Sequence, residues 1–247
     1  MQEVEQIKPY GPDHRDKTEQ VREMFDSIAP AYDFMNRAMT LGIDKLWRRK
    51  AVGLLRSATH DDILDIATGT GDLAIAMARR LDPLTVTGVD LSAEMIEIGR
   101  RKVKEKGLSE IVTLGLGDCL MLPFPDESFD AVTCAYGVRN FADIPAGYAE
   151  MHRVMRPGGT VMILELSTPR SPLVKPLYDL YTRTLIPMAG RLVSKDTRAY
   201  SYLPESIAAV PQGQAMCRLM EQAGFTGARA IPLTFGTCTI YTATKPH

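Results

Sequence analysis

Asp65, Asp72 and Asp90 are the residues whose spacing first suggests chemistry. The stretch Ile63-Leu64-Asp65-Ile66-Ala67-Thr68-Gly69-Thr70-Gly71-Asp72-Leu73 reads as a buried strand, a glycine turn and a helix start. Gly69 and Gly71 allow the tight turn and let backbone approach a ligand with no Cβ in the way. Gly69-x-Gly71-x-x-Ala74, with Asp90 about 20 residues on, has the form of the dinucleotide fingerprint. A carboxylate at Asp90 can take the two ribose hydroxyls of an adenosine. A dinucleotide would rest its pyrophosphate on the helix N-terminus, where Asp72 puts a negative charge. Asp65 and Asp72 together suit a ligand with an ammonium and a sulfonium, which is S-adenosylmethionine. NAD is the second reading, and a surface turn with incidental acids the third.

Composition narrows the classes. Of 247 residues, 45% are hydrophobic and 24% charged, which is ordinary for a soluble globular protein and fits one large α/β domain. A net charge of −1 gives no reason to expect nucleic acid. Four cysteines lie far apart with no C-x-x-C, and there are four histidines, so neither a disulfide framework nor a metal site is expected. A reducing cytoplasm is the default. The start, Met1-Gln2-Glu3-Val4-Glu5, has no apolar h-region, and no run of 18 apolar residues occurs.

The elements that must position these groups follow in order. Residues 1–17 read as a loose polar arm. The stretch 18–39 reads as a helix with Val21, Met24, Phe25 and Ile28 inward, broken at Pro30. At that break the pair Tyr32-Asp33 could reach into a cleft. A helix over 44–56 turns Leu46, Trp47, Ala51, Leu54 and Leu55 inward. It also carries Lys45, Arg48, Arg49 and Lys50, either a solvated basic face or a contact with anionic lipid. Expected strands are 62–67, 84–89, 111–115, 129–135 and 160–166. Helices are expected over 72–81, from Ser92 as N-cap, and over 143–156, the last stopped by Arg156-Pro157-Gly158-Gly159. This alternation means an α/β, doubly wound, mostly parallel sheet. Ligands sit at the carboxyl ends of its strands, which gathers Thr70, Asp90, Asp118 and the segment after the fourth strand around one crevice. Asp118 can accept from an adenine amino group there, or simply cap its loop.

Residues 170–210 break the rhythm, and 173–193 are largely apolar and aromatic. They include Leu173, Val174, Leu177, Tyr178, Leu180, Tyr181, Leu185, Ile186 and Met188, with charges at Lys175, Asp179, Arg183 and Arg191, and are cut by Pro176 and Pro187. One or two amphipathic helices are expected, covering the crevice as a lid or packing on the sheet. A helix over 211–223 and an antiparallel pair, 226–232 and 236–244, at one sheet edge complete the chain. The whole reads as a single domain, 1–247. Its parts are a helical cap (18–60), a cofactor-binding core (61–169), an insertion (170–210) and a C-terminal helix and hairpin (211–247).

Several segments carry a resemblance: Met24-Phe25-Asp26-Ser27-Ile28-Ala29-Pro30-Ala31-Tyr32-Asp33, the glycine turn, Leu122-Pro123-Phe124-Pro125-Asp126, Tyr136-Gly137-Val138-Arg139-Asn140 and Tyr200-Ser201-Tyr202-Leu203-Pro204-Glu205-Ser206. Over about 18–245 the chain resembles the menaquinone/ubiquinone biosynthesis C-methyltransferases, which have the class I S-adenosylmethionine-dependent fold. The resemblance implies a Rossmann-like, seven-stranded sheet and a quinol acceptor with a polyprenyl tail. It implies cofactor contacts from Thr70, Asp90, Asp118 and Cys119, the last by its backbone, beside Asp65, Gly69 and Gly71. Ala135 stands where ubiquinone-type members often have Ser. That and Asp44-Lys45-x-Trp47-Arg48-Arg49-Lys50 look more like menaquinone-only members.

Methylation at a ring carbon needs a nucleophilic carbon, so the acceptor must be the quinol, whose phenol oxygen pushes electron density onto the ring. A group that stabilises the phenolate or relays its proton must lie within hydrogen-bond reach. Arg139 is expected to stabilise the phenolate, directly or through a water. Asn140 would orient the ring oxygen and Tyr32 add a third polar contact. A salt bridge holding the loop is the plainer role for Arg139. The tail could run along the insertion and first two helices, resting on the inner face of the cell membrane; peripheral membrane contact and a homodimer are open options. Demethylmenaquinol is the expected acceptor, and four other functions stay open: methylation of a ubiquinone-pathway benzoquinol, alone or beside the naphthoquinol, methylation of a phenolic or sterol-like acceptor, NAD-dependent oxidoreduction, and a non-catalytic scaffold.

Overall fold

The computed structural model describes residues 4–12, 14–185 and 198–247. Ile186 to Val193 of the expected insertion lie outside these residues, as do the side chains of Arg183, Leu185 and Tyr200.

Seven strands form one sheet: β1 (Asp62–Ile66), β2 (Thr85–Asp90), β3 (Val112–Leu116), β4 (Phe129–Ala135), β5 (Met155–Leu166), β6 (Thr226–Leu233) and β7 (Cys238–Thr244). Their order is β3-β2-β1-β4-β5-β7-β6. The first five are parallel, and β7 runs antiparallel to both β5 and β6. The expected hairpin therefore forms, with β7 inside and β6 at the edge. Strand order reverses between β1 and β4, and that switch point opens a crevice at the carboxyl ends.

Helices α1 (Lys17–Thr40), α2 (Asp44–Leu55), α3 (Asp72–Ala78), α4 (Ala93–Glu105) and α5 (Ile144–Val154) surround it, followed by α6 (Lys175–Leu180), α7 (Arg198–Ala209) and α8 (Gln214–Gln222). Ser92 caps α4 as expected, its Oγ accepting from the Met95 amide at 3.1 Å. Apolar side chains fill both sheet faces: Leu64, Ile66, Tyr148 and Phe225 on one, Trp47, Leu73, Ile96 and Met162 on the other.

Four local expectations are corrected. Helix α1 runs unbroken through Pro30. Proline costs one backbone hydrogen bond there, and the buried side chains of Met24, Ile28, Ala29 and Met35, packed around Met95, hold the helix together. The arm is not loose: Val4 is buried in the main core, and Lys17 Nζ donates to the carbonyls of Val4 at 2.7 Å and Arg139 at 3.1 Å. Leu46 is 62% exposed, because the inward stripe of α2 passes through Trp47, Ala51 and Leu55. The Arg156-Pro157-Gly158-Gly159 stretch belongs to β5, whose pairing with β4 shifts register there, and α5 already ends at Val154.

Candidate active site

The glycine turn works as its residue types require. Gly69 (φ 56°) and Gly71 (φ 76°) both adopt left-handed backbone, and a Cβ on Gly71 would lie 3.1 Å from Leu114 Cδ1. The Gly69 amide donates to Asp90 Oδ2 at 2.8 Å, and the Ser92 amide to Oδ1 at 2.9 Å. The Leu91 amide acts on the same carboxylate, which still has acceptor capacity for a ligand. Burial pushes the Asp90 pKa up, against the pull of these amides. Asp90 lines a cavity with Gly69, Asp118, Cys119, Tyr32 and Asn140 also in its wall. Asp118 caps its loop too, accepting from the Leu120 amide at 2.9 Å.

The other acids do not share that wall. Asp65 is buried and accepts from Thr68 Oγ1 at 2.6 Å and Thr133 Oγ1 at 2.7 Å. Burial pushes its pKa up to about 6. Asp72 pairs with Lys102 and, at 3.2 Å, with Arg48. Burial works to raise its pKa, but these two cations outweigh it and hold it down. Thr70 Oγ1 donates to Asp33 Oδ1 at 2.7 Å and accepts from Lys102 Nζ at 2.9 Å. Asp65, Thr70 and Asp72 therefore line a small polar pocket behind the turn. The paired carboxylates expected to face a cationic ligand have protein partners instead, and Asp90 and Asp118 carry the acidic character of the main cavity.

The acceptor side is built by the turn Val138–Asn140 after β4. Arg139 Nη1 donates to Glu165 Oε1 at 2.8 Å, and the Arg139 amide donates to Glu165 Oε2 at 3.2 Å. Its Nη1 also reaches the Tyr136 carbonyl. Burial works against the guanidinium charge, and Glu165 outweighs it. Asn140 Nδ2 donates to the same carbonyl at 3.3 Å, and its Oδ1 accepts from the Tyr202 hydroxyl at 3.2 Å. Burial raises the Tyr32 pKa, while the Arg139 charge is among the effects that lower it.

A second, larger and mainly apolar cavity adjoins the first. Its walls include Met39, Trp47, Leu166, Leu177, Leu180 and Ile207, with Arg139 also contributing. Tyr32 and Tyr136 line both cavities. Helix α6 and the π-helical turn after it, Tyr181–Leu185, supply one side of the second cavity. The Tyr181 hydroxyl donates to the Met39 carbonyl at the end of α1, anchoring this cover. Arg139, Asn140 and Tyr32 are thus brought together. Glu165 and Tyr202, which hold two of them, were not anticipated. A lone acid in the apolar run Met162-Ile163-Leu164-Glu165-Leu166 was the available signal for the first.

The ubiE/COQ5 methyltransferase family model matches residues 13–245. The chain belongs to that family. It is a methyltransferase, and S-adenosylmethionine is its methyl donor, which sets aside the NAD reading. A demethylmenaquinone methyltransferase of Bacteroides fragilis is 48% identical over 98% of both chains. One from Porphyromonas gingivalis is 46% identical over 99% of this chain and 100% of its own. A ubiquinone/menaquinone biosynthesis C-methyltransferase of Geotalea daltonii is 44% identical over 93% of this chain and 98% of its own. The fold matches that of a Haloferax volcanii methyltransferase solved with its Trm112 activator, with a TM-score of 0.64 at 17% identity, covering 90% and 98% of the two chains. It also matches an Aquifex aeolicus S-adenosylmethionine-dependent methyltransferase, with a TM-score of 0.59 at 18% identity, covering 80% and 89%. The relatives' names point to a quinone acceptor. Among the described residues no helix is long and apolar enough to cross a membrane, and no group of three or more acids, cysteines or histidines could hold a metal.

Proposed function

We propose that this methyltransferase methylates a ring carbon of demethylmenaquinol, giving menaquinol. The observation that carries the reading is the junction of the two cavities at Tyr32 and Tyr136. The cavity that holds Asp90 and Asp118 adjoins a larger apolar one, as a ring with a long hydrocarbon tail requires. The residues present fit the donor: the Asp90 carboxylate has acceptor capacity left for a ribose hydroxyl, and Asp118 and Cys119 line the same cavity, where the adenine would lie. When bound, S-adenosylmethionine supplies an electrophilic methyl group to the ring carbon.

The chain's own residues do the rest. Asn140, held at both ends of its amide, keeps one N–H for a ring oxygen. Arg139 stays charged beside Glu165 and favours the phenolate over the phenol, which strengthens the push onto the ring. Tyr32, on α1, contributes a hydroxyl at the junction. Holding the carbon in line with the methyl supplies much of the rate.

The same cavity supports a peripheral contact with the membrane as part of this reading. Leu41, Leu177 and Leu180 line it and are each 60% exposed or more. Leu173 and Leu46 are exposed too, and Lys45, Arg49 and Lys50 are exposed on α2. Apolar side chains with lysines and arginines suit an anionic bilayer surface, from which the tail enters. The deciding experiment is mass spectrometry of quinones from cells lacking the protein, with purified enzyme then added to the reduced extract. Demethylmenaquinone should accumulate and be converted. Accumulation of a benzoquinone precursor would name the other ring, and a normal quinone profile would sink the reading.

A further inference from the structure

Lys17 opens α1 and is only 3% exposed. Its Nζ donates to two backbone carbonyls, Val4 at 2.7 Å and Arg139 at 3.1 Å. Among the described residues no carboxylate takes a hydrogen bond from it, and Glu5 acts on it through its charge. A cation buried against carbonyls alone is costly. A methionine of similar length would fill the same space at lower cost, and what it would lack is the two bonds.

Those bonds join three parts of the chain. Val4 belongs to the N-terminal arm, which is itself fixed: Val4 sits in the main core, and Glu5 Oε1 accepts from the Ile144 amide at the start of α5 at 3.1 Å. Lys17 begins the helix whose Thr18, Val21, Arg22 and Phe25 line the cofactor cavity. Arg139 belongs to the turn after β4. The peptide unit between Arg139 and Asn140 is held at both ends: Lys17 takes its carbonyl, and its N–H, on Asn140, donates to the Gly137 carbonyl at 2.9 Å. A peptide so held cannot rotate, and its orientation aims the side chains on either side of it.

We propose that Lys17 is a positioning residue for methyl transfer: by holding the Arg139 carbonyl it fixes the peptide that links Arg139 to Asn140, and so ties the acceptor side of the site to the helix that walls the cofactor cavity. The inference uses the quinol reading above for its activity assay. Burial lowers the Lys17 pKa to about 8, Glu5 of the arm opposes that, and Arg139 of the turn adds to it. Lys17 is therefore charged at pH 7 and loses its charge as the pH passes about 8. The neutral amine still donates, but without the charge that strengthens both bonds.

The test uses the full-length protein, S-adenosylmethionine and a reduced short-tailed demethylmenaquinone. Lys17→Met should lower kcat about tenfold at pH 7, the worth of one charged hydrogen bond, and leave KM for S-adenosylmethionine within about twofold of wild type. The ratio of wild type to variant should shrink from pH 7 to about pH 9, because wild type then loses a charge the variant never had; ionisation of the quinol is common to both. Glu5→Gln keeps an oxygen for the Ile144 amide and removes the charge that favours a protonated Lys17, so its decline should begin at lower pH than that of wild type. Hydrogen exchange read by mass spectrometry needs no acceptor: residues 137–142 should exchange faster in Lys17→Met, with β1 and β4 as protected as in wild type. Equal kcat in Lys17→Met and wild type, with only stability in urea reduced, would make Lys17 a fold contact and overturn the proposal. So would a ratio that does not change with pH, or, should Lys17→Met fail to fold, a Glu5→Gln profile that matches wild type. If wild type methylates no quinol, the quinol reading falls, and hydrogen exchange over 137–142 still decides for or against Lys17.

Discussion

Arg139 Nη1 lies 2.8 Å from Glu165 Oε1, and both side chains are almost fully buried. The pair ties the turn after β4 to the end of β5. Removing one partner leaves an uncompensated charge in the interior, which costs about 3–5 kcal/mol. Glu165→Ala should lose that much stability in urea denaturation and lower kcat together with it. The double variant Glu165→Leu/Arg139→Met should recover most of the stability and none of the activity. A single variant as stable as wild type would show that the pair does not hold this turn.

Lys102 and Asp33 join α4 to α1 at 2.7 Å, beside Thr70 and Asp72 of the cofactor turn. Tyr32 precedes Asp33 on α1, so this ion pair sets Tyr32 against the turn. Asp33→Asn should weaken S-adenosylmethionine binding about fivefold by calorimetry and cost about 1 kcal/mol of stability, as for a half-buried pair. Unchanged affinity would mean that α1 is positioned by its apolar face alone.

The two sides of the site differ in how far they could be read from sequence. The glycine turn and Asp90 were legible because their signal is local: a glycine spacing, then an acid at the end of the next strand. The mostly parallel sheet was legible for the same reason, each strand being a short apolar run. The partners of Asp72 were not, because Lys102 stands 30 residues away and only the packing of α4 brings it near. Pro30 misled in the opposite direction: a local rule predicted a break that long-range burial overrode. Arg139 and Asn140 were legible through their motif, but the atoms they hold, Glu165 and Tyr202, depend on tertiary contacts alone.

Leu177 lines the apolar cavity from α6 yet is 70% exposed, so it can be changed at little cost to folding. Leu177→Arg puts a charge where the hydrocarbon tail would lie. KM for a long-tailed quinol should rise about fivefold, roughly the loss of one or two methylene contacts. KM for a tailless ring should not move. An equal effect on both would place the tail elsewhere.

Asp65 connects the site to pH. Its pKa is about 6 in the folded chain, raised by burial, against 3.8 as its ordinary value. Between these values the folded chain still holds a proton that the unfolded chain has released. Stability from this group is therefore greatest below the unfolded value and is lost as pH rises through about 6, by about 3 kcal/mol in all. Asp65→Asn cannot titrate and should lack that decline. Urea denaturation of both proteins from pH 4 to pH 7 isolates the effect, since the other carboxylates are common to both. The variant should gain about 3 kcal/mol relative to wild type across the range. Parallel stability curves would show that Thr68 and Thr133 stabilise the Asp65 carboxylate enough to cancel its burial.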